Sequence, residues 1–211
     1  MFVYLIIIIF VFTFSILFLL KRGLFWHIFR EKGVVYLTFD DGPQQDLTKK
    51  ILAILDREQV KATFFCVGEN VQRYPEIFEE IKKQGHAVGN HTMKHLNGWH
   101  TPFQIYIQDV KNANRLINSK LFRPPHGRIG LRQWWHLKKT FRIVFWTKLS
   151  YDWVKTNNPQ KCLRLIKSVS KYGGIVVFHD NPKAADNMLE ALPIFIQQAK
   201  KNGLTFKVLS V

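Results

Sequence analysis

Apolar and polar positions beyond residue 33 alternate between two rhythms. Short β-branched and aromatic runs occur at 34–37, 62–67, 87–90, 121–123, 142–146, 175–178 and 205–208, and each reads as a strand. Between them apolar residues recur at helical spacing over 47–58, 75–84, 101–118, 159–171 and 184–202. Asp46 and Asn158 stand where helix N-caps belong. Pro75 opens one helix and Gly85 closes it, and Gly203 ends the last. In helix 101–118, Ile105, Asp109, Ala113 and Leu116 make one stripe. About seven strand–helix units mean a mainly parallel sheet. Candidate site residues follow many different strands, so this α/β chain is expected to form a distorted (β/α) barrel of about seven parallel strands. No repeat, linker or second domain interrupts residues 34–211.

Residues 1–20 follow neither rhythm. They are nearly all Ile, Leu, Phe and Val, broken by Tyr4, Thr13 and Ser15. Twenty such residues span a hydrocarbon core of about 30 Å as a helix. A cleaved signal peptide would need a basic start and a small-residue cleavage site, and both are missing. Lys21-Arg22 follow the run directly, and Trp26 falls near the interface. One N-terminal transmembrane helix, retained as an anchor and joined through a flank at 21–33, is therefore expected. Lys21, Arg22, Arg30 and Lys32 crowd its carboxyl side, which by the positive-inside tendency favours the cytoplasm. Charge bias at a single span can be overridden, so outward and cytoplasmic placement both stand as expectations.

Composition narrows the classes. Aromatic residues make up 14%, with 18 Phe and 6 Trp, which excludes a disordered chain. Lys and Arg outnumber Asp and Glu by 31 to 15, and residues 1–20 carry none of them. The net charge of +16 thus falls on the domain and its flank. Such a field favours nucleic acid, acidic phospholipid or an acidic glycan. No basic run is interleaved with stacking aromatics, so no nucleic-acid partner is expected. Cys66 sits in an apolar strand and Cys162 early in a helix, with no sign of a metal site or redox pair.

The chemistry collects at strand ends. Thr38-Phe39-Asp40-Asp41-Gly42-Pro43 delivers two adjacent carboxylates where the first strand stops. Side chains alternate along an extended segment, so one carboxylate can bind a metal while the other handles a proton. Asp-Gly and Gly-Pro are also ordinary turn formers. His91-Thr92-Met93-Lys94-His95 puts two imidazoles at i and i+4, on one face if the segment is helical. Two His, a carboxylate and an open position are a common zinc-hydrolase set, which also suits cobalt, nickel or iron. Arg123-Pro124-Pro125-His126-Gly127 places a fixed cation on a rigid turn, Tyr151-Asp152-Trp153 follows, and Val177-Phe178-His179 ends an apolar strand.

These five motifs, in this order over residues 34–211, resemble the polysaccharide deacetylase family, whose NodB homology domain is also called carbohydrate esterase family 4. The resemblance implies Asp40 as general base, with Asp41, His91 and His95 holding one divalent metal. Arg123 would hold Asp40 in place, and Asp152 would orient His179 as general acid. Trp153 and Val177 would line the pocket for the acetyl methyl, and the His126 backbone N–H would meet the oxyanion. The implied substrate is an N-acetylated amino sugar of a glycan, usually extracellular; with the anchor read from residues 1–20, the protein is expected to be a membrane-anchored monomer. His126 stands where the family usually has Tyr, Val177 where it usually has Leu, and the fourth motif diverges upstream of Asp152. An O-deacetylase, another amide hydrolase, a catalytically silent glycan-binding protein, or a membrane-surface binder are the competing readings.

Overall fold

The computed structural model of the chain describes residues 31–210. Strand β1 (Val34–Asp40) is buried along its whole length because it lies inside the sheet. Its partners are β2 (Thr63–Cys66) and β7 (Gly174–His179), with β8 (Thr205–Phe206) paired beside its first two residues. The sheet continues through β3 (Ala87–Asn90), β4 (Leu121–Phe122) and β5 (Arg142–Ile143) on one side and β6 (Lys148–Leu149) on the other. The order is β5-β4-β3-β2-β1-β7-β6, and every pairing is parallel. No hydrogen bonds join β5 to β6, so the expected barrel is a curled half-barrel, not a closed ring.

The helices are α1 (Leu47–Arg57), α2 (Gly68–Arg73), α3 (Pro75–Lys83), α4 (Phe103–Ile117), α5 (Leu131–Leu137), α6 (Pro159–Ile166), α7 (Val169–Tyr172) and α8 (Ala185–Lys201). Val35, Leu37 and Phe39 of β1 pack with Ile51, Phe178 and Phe195 in the core beneath these helices. The strand's period of two then turns Thr38 and Asp40 to the inner face. The same count on β7 sends Val176 and Phe178 to the helices and Val177 and His179 inward. Parallel register sets Asp40 beside His179 and Thr38 beside Val177.

Several local readings change in three dimensions. Helix 159–171 is two helices, α6 and α7, and α2, α5 and β6 occupy segments that carry no clear rhythm. Asn158 caps α6 by accepting the Lys161 N–H at 2.8 Å. Asp46 makes no cap hydrogen bond, because its backbone is already helical (φ −99°, ψ −35°) where a capping residue is extended. In α4 the buried face is Tyr106, Val110, Ala113 and Ile117, whereas Ile105 and Leu116 face solvent. Two neighbouring stripes had helical spacing, and the one bearing Tyr106 and Val110 packs on Phe122, Leu137 and Phe141. Among the described residues no helix is long and apolar enough to cross a membrane. The expected anchor at 1–20 lies outside them.

Candidate active site

Asp40 is the last residue of β1, and its inward carboxylate meets Arg123 at 2.6 Å. Arg123 follows β4 and is wholly buried, yet its guanidinium is well satisfied. It donates to Asp40 Oδ1 and to the Thr38 hydroxyl, and to the carbonyls of Val144 and Phe145. Its plane lies 4.1 Å from the Phe65 ring centroid, a contact that suits a weakly hydrated cation. Arg123 thus crosses the inside of the half-barrel and ties the β4–β5 side to β1.

Immediately after β1 the chain turns through a left-handed Asp41 (φ +80°), which swings the second carboxylate out of the strand's alternation. Its Oδ1 lies 3.1 Å from His95 Nε2 and 3.6 Å from His91 Nε2. One ligand atom from each of the three residues falls within 4.8 Å of the others. His91 and His95 reach this point from a loop, not from the helix their spacing suggested. Positive φ at Thr92 (+66°) and His95 (+55°) excludes a helix there. The loop is shaped by the Asp109 carboxylate on α4, which accepts the Met93 and Lys94 N–H groups at 2.7 and 3.2 Å. The Asn90 side chain accepts the Thr92 N–H at 2.8 Å.

Charge at this cluster is set by its surroundings. Burial pushes His91 down to about 4, so the ring is neutral at working pH. Its Nδ1 lies 2.7 Å from the Arg123 carbonyl, and donation there leaves the Nε2 lone pair pointing at Asp41. Burial pulls the Asp41 carboxyl upward, but the His95 hydrogen bond and the His179 and His91 rings outweigh it and hold it well below the usual range. Asn181 donates to its other oxygen at 2.5 Å, and Asn70 donates to its backbone carbonyl at 2.7 Å.

On the other side of Asp40 is His179, at the end of β7. The buried Asp152 grips it twice, accepting the His179 N–H at 2.8 Å and lying 2.8 Å from its ring Nδ1. Burial works against protonation of this ring, but the Asp152 hydrogen bond and charge prevail and raise it above its usual value. Trp153 packs edge-on against His179 at 4.3 Å. Asp180 is buried beneath the turn. It accepts the Thr48 hydroxyl at 2.5 Å and its backbone N–H donates to the Asp40 carbonyl at 2.8 Å. A Cβ on Gly42 would meet its Oδ2 at 2.1 Å, which explains glycine in the turn.

Over these groups opens a pocket of about 410 Å³, a size suited to one small group or sugar. Asp40, Asp41, His91, His95, His126, Trp153 and His179 border it. Val177 does not. It is fully buried below His179 on the inner face, and its register partner Leu149 on β6 takes the wall position. Strand register across β6–β7 is invisible in a linear pattern, so neither Leu149 nor the supporting Asp109, Asn90 and Asn181 stood out in the sequence. The His126 ring stacks edge-on with His95 at 4.7 Å.

The parallel half-barrel thus brings Asp40, His179 and the Asp41–His91–His95 cluster together at its strand ends. Residues 29–140 match the family described as polysaccharide deacetylase, and the chain belongs to that family. A peptidoglycan-N-acetylglucosamine deacetylase of Bacillus cereus is 34% identical over 84% of this chain and 67% of its own length. The crystal structure of a peptidoglycan N-acetylglucosamine deacetylase superposes with a TM-score of 0.76 at 34% identity, over 85% of this chain and 87% of that one. A family 4 pseudoenzyme of Bacillus anthracis superposes at 0.74 with 26% identity, over 83% and 63%.

Proposed function

We propose that the protein is a metal-dependent hydrolase that removes acetyl from an N-acetylated amino sugar of a glycan. One observation carries this reading: Asp40 and His179 stand side by side in register across β1 and β7, directly beside the Asp41–His91–His95 cluster. The cluster fits a divalent cation, because it offers one carboxylate and two imidazoles with converging donors, one of them a buried neutral ring with its lone pair aimed inward. This donor set suits zinc first, and cobalt, nickel or iron as well. When bound, such an ion polarises the acyl oxygen and acidifies water.

The remaining work falls to the chain's own residues. Asp40, fixed by Arg123, accepts a proton as a water oxygen attacks the acetyl carbon. The developing oxyanion accepts the His126 backbone N–H. His179, held as imidazolium by Asp152, gives its proton to the amide nitrogen while the C–N bond breaks, leaving acetate and a free amine. Trp146 and Trp153, which line the pocket, hold the sugar.

The family also contains a pseudoenzyme, so a silent glycan-binding protein is the second reading. Acetate release from peptidoglycan, chitin oligomers and a capsule-type glycan, with and without added metal, tests both. Metal-stimulated release supports hydrolysis, and stoichiometric metal with no release from any of them removes it. Residues 1–20 would anchor the domain in a membrane. Protease added to intact spheroplasts tests the side: digestion means outward, towards cell-wall glycan, and protection until lysis means inward, towards a sugar precursor.

A further inference from the structure

The loop after His95 carries an exposed tryptophan fixed in place. Trp99 is 65% exposed, but its indole N–H donates to the Ile129 carbonyl at 3.2 Å and its backbone N–H to the Asn97 side chain at 3.0 Å. An indole held this way offers an apolar ring face beside a polar edge, the pairing that suits aromatic residues to interfaces. Arg128, which borders the catalytic pocket, lies over this indole at 5.3 Å. The two loops are stitched together. Gly98 donates to the Arg128 carbonyl at 3.2 Å, and the Gln133 side chain donates to the Gly98 carbonyl at 2.8 Å. A Cβ on Gly98 would meet the Arg128 carbonyl oxygen at 2.5 Å, so this approach requires glycine. Binding to such a preformed surface needs little further ordering.

Charge adds a second constraint. Arg128 follows β4 and Lys183 follows β7, three strands apart beyond β3, β2 and β1, so the two cations face the pocket from opposite sides. Among the described residues neither forms an ion pair. The anionic groups of the pocket floor are already matched to Arg123, His179 and the His91–His95 pair.

We infer that Trp99 and Arg128 form a second glycan subsite, which takes the sugar next to the one being deacetylated and favours a sugar bearing a carboxylate. The C–H face of a pyranose packs against the indole, and the guanidinium meets the carboxylate as a fork. Lys183 strengthens the attraction from the far wall. The inference rests on the glycan reading above and deepens it.

Calorimetric titration of the full chain carrying Asp40→Asn, in detergent, tests binding with turnover suppressed. The probes are N-acetylglucosamine, its tetramer, and a tetramer alternating N-acetylglucosamine with N-acetylmuramic acid, whose lactyl group supplies the carboxylate. The tetramers should bind about tenfold tighter than the monomer, as a Trp-centred contact implies, and the acidic one tighter again at low salt. Trp99→Ala should abolish the length advantage, Trp99→Phe should keep most of it, and Arg128→Ala should abolish the acidic preference. Trp135→Ala, also exposed but with Lys138 over its ring in place of the pocket-lining Arg128, should change neither. Equal binding of monomer and tetramers, or tetramer affinities unmoved by Trp99→Ala and Arg128→Ala, overturns the subsite. Trp99-dependent binding without acetate release from any glycan keeps the subsite and removes the reaction; acetate release without length or charge preference does the reverse.

Discussion

Three buried carboxyl groups stand within one turn of the same strand ends, and they differ in what partners them. Asp40 faces Arg123, a cation at every working pH. Asp152 faces His179, a cation only while protonated. Asp180 faces the Thr48 hydroxyl alone, and its Oδ1 has no hydrogen-bond partner among the described residues. A fixed cation holds a base in position without competing for its proton. A titratable one can give its proton away and be recharged. With neither, burial decides, and despite the Thr48 hydrogen bond it pushes Asp180 up to about 7. The same chemical group thus meets three different surroundings: a permanent cation at Asp40, a titratable ring at Asp152 and a lone hydroxyl at Asp180.

The contrast is broken most severely by removing a partner. Arg123→Met should leave the buried Asp40 carboxylate unpaired and destabilise the fold by about 3–5 kcal/mol, measured by denaturant unfolding. Asp40→Asn should keep both the fold and the bound metal while the rate falls by about two to four orders of magnitude. Near-normal turnover by that variant, with metal content verified, would reassign the base.

His179→Ala removes the titratable cation. It should cost about two to three orders of magnitude on an amide substrate, and much less on an activated ester whose leaving group needs no proton. Equal losses on both substrates would give His179 a structural role instead.

Asp152→Asn sharpens the comparison through pH. With Asp152 present His179 titrates above its ordinary value, and the acid works only when protonated, so the rate should fall as pH rises through that raised value. In Asp152→Asn the alkaline fall should move to lower pH, read from kcat against pH. An unmoved limb would detach Asp152 from the proton donor.

The smallest effect is expected at Asp180. In the chelator-treated protein its folded pKa lies near 7, above the unfolded 3.8. Between these values the unfolded chain gives up a proton that the folded one keeps, so stability falls as pH rises from about 4 to 7. The Tm of the unsubstituted chain should therefore fall relative to that of Asp180→Asn as pH rises over that window, read by thermal unfolding at stepped pH. Identical Tm profiles would mean that Asp180 ionises freely in the fold.

Much of this site was legible because it is local. Asp40-Asp41-Gly42, the two histidines of 91–95, Arg123 after a strand and His179 after another are each announced by a strand pattern and the residues that end it. The route by which they meet was not. Spacing suggested a helix at 91–95, but hydrogen bonds to Asp109, fifteen and sixteen residues away, hold a left-handed loop there. The wall assigned to Val177 belongs to Leu149, because only the pairing of β6 with β7 brings that residue to the pocket.

The sequence by itself determined which chemical groups exist and at which strand ends they emerge, since period-two alternation and strand-breaking residues act within a few positions. It determined the parallel α/β class for the same reason. Tertiary structure alone decided that Arg123 spans the half-barrel to Asp40, 83 residues away in the chain, and that the strand path stays open between β5 and β6. It also decided that Asn181 reaches Asp41 across 140 residues. Contacts of that separation depend on sheet order and register, which no short window of sequence encodes.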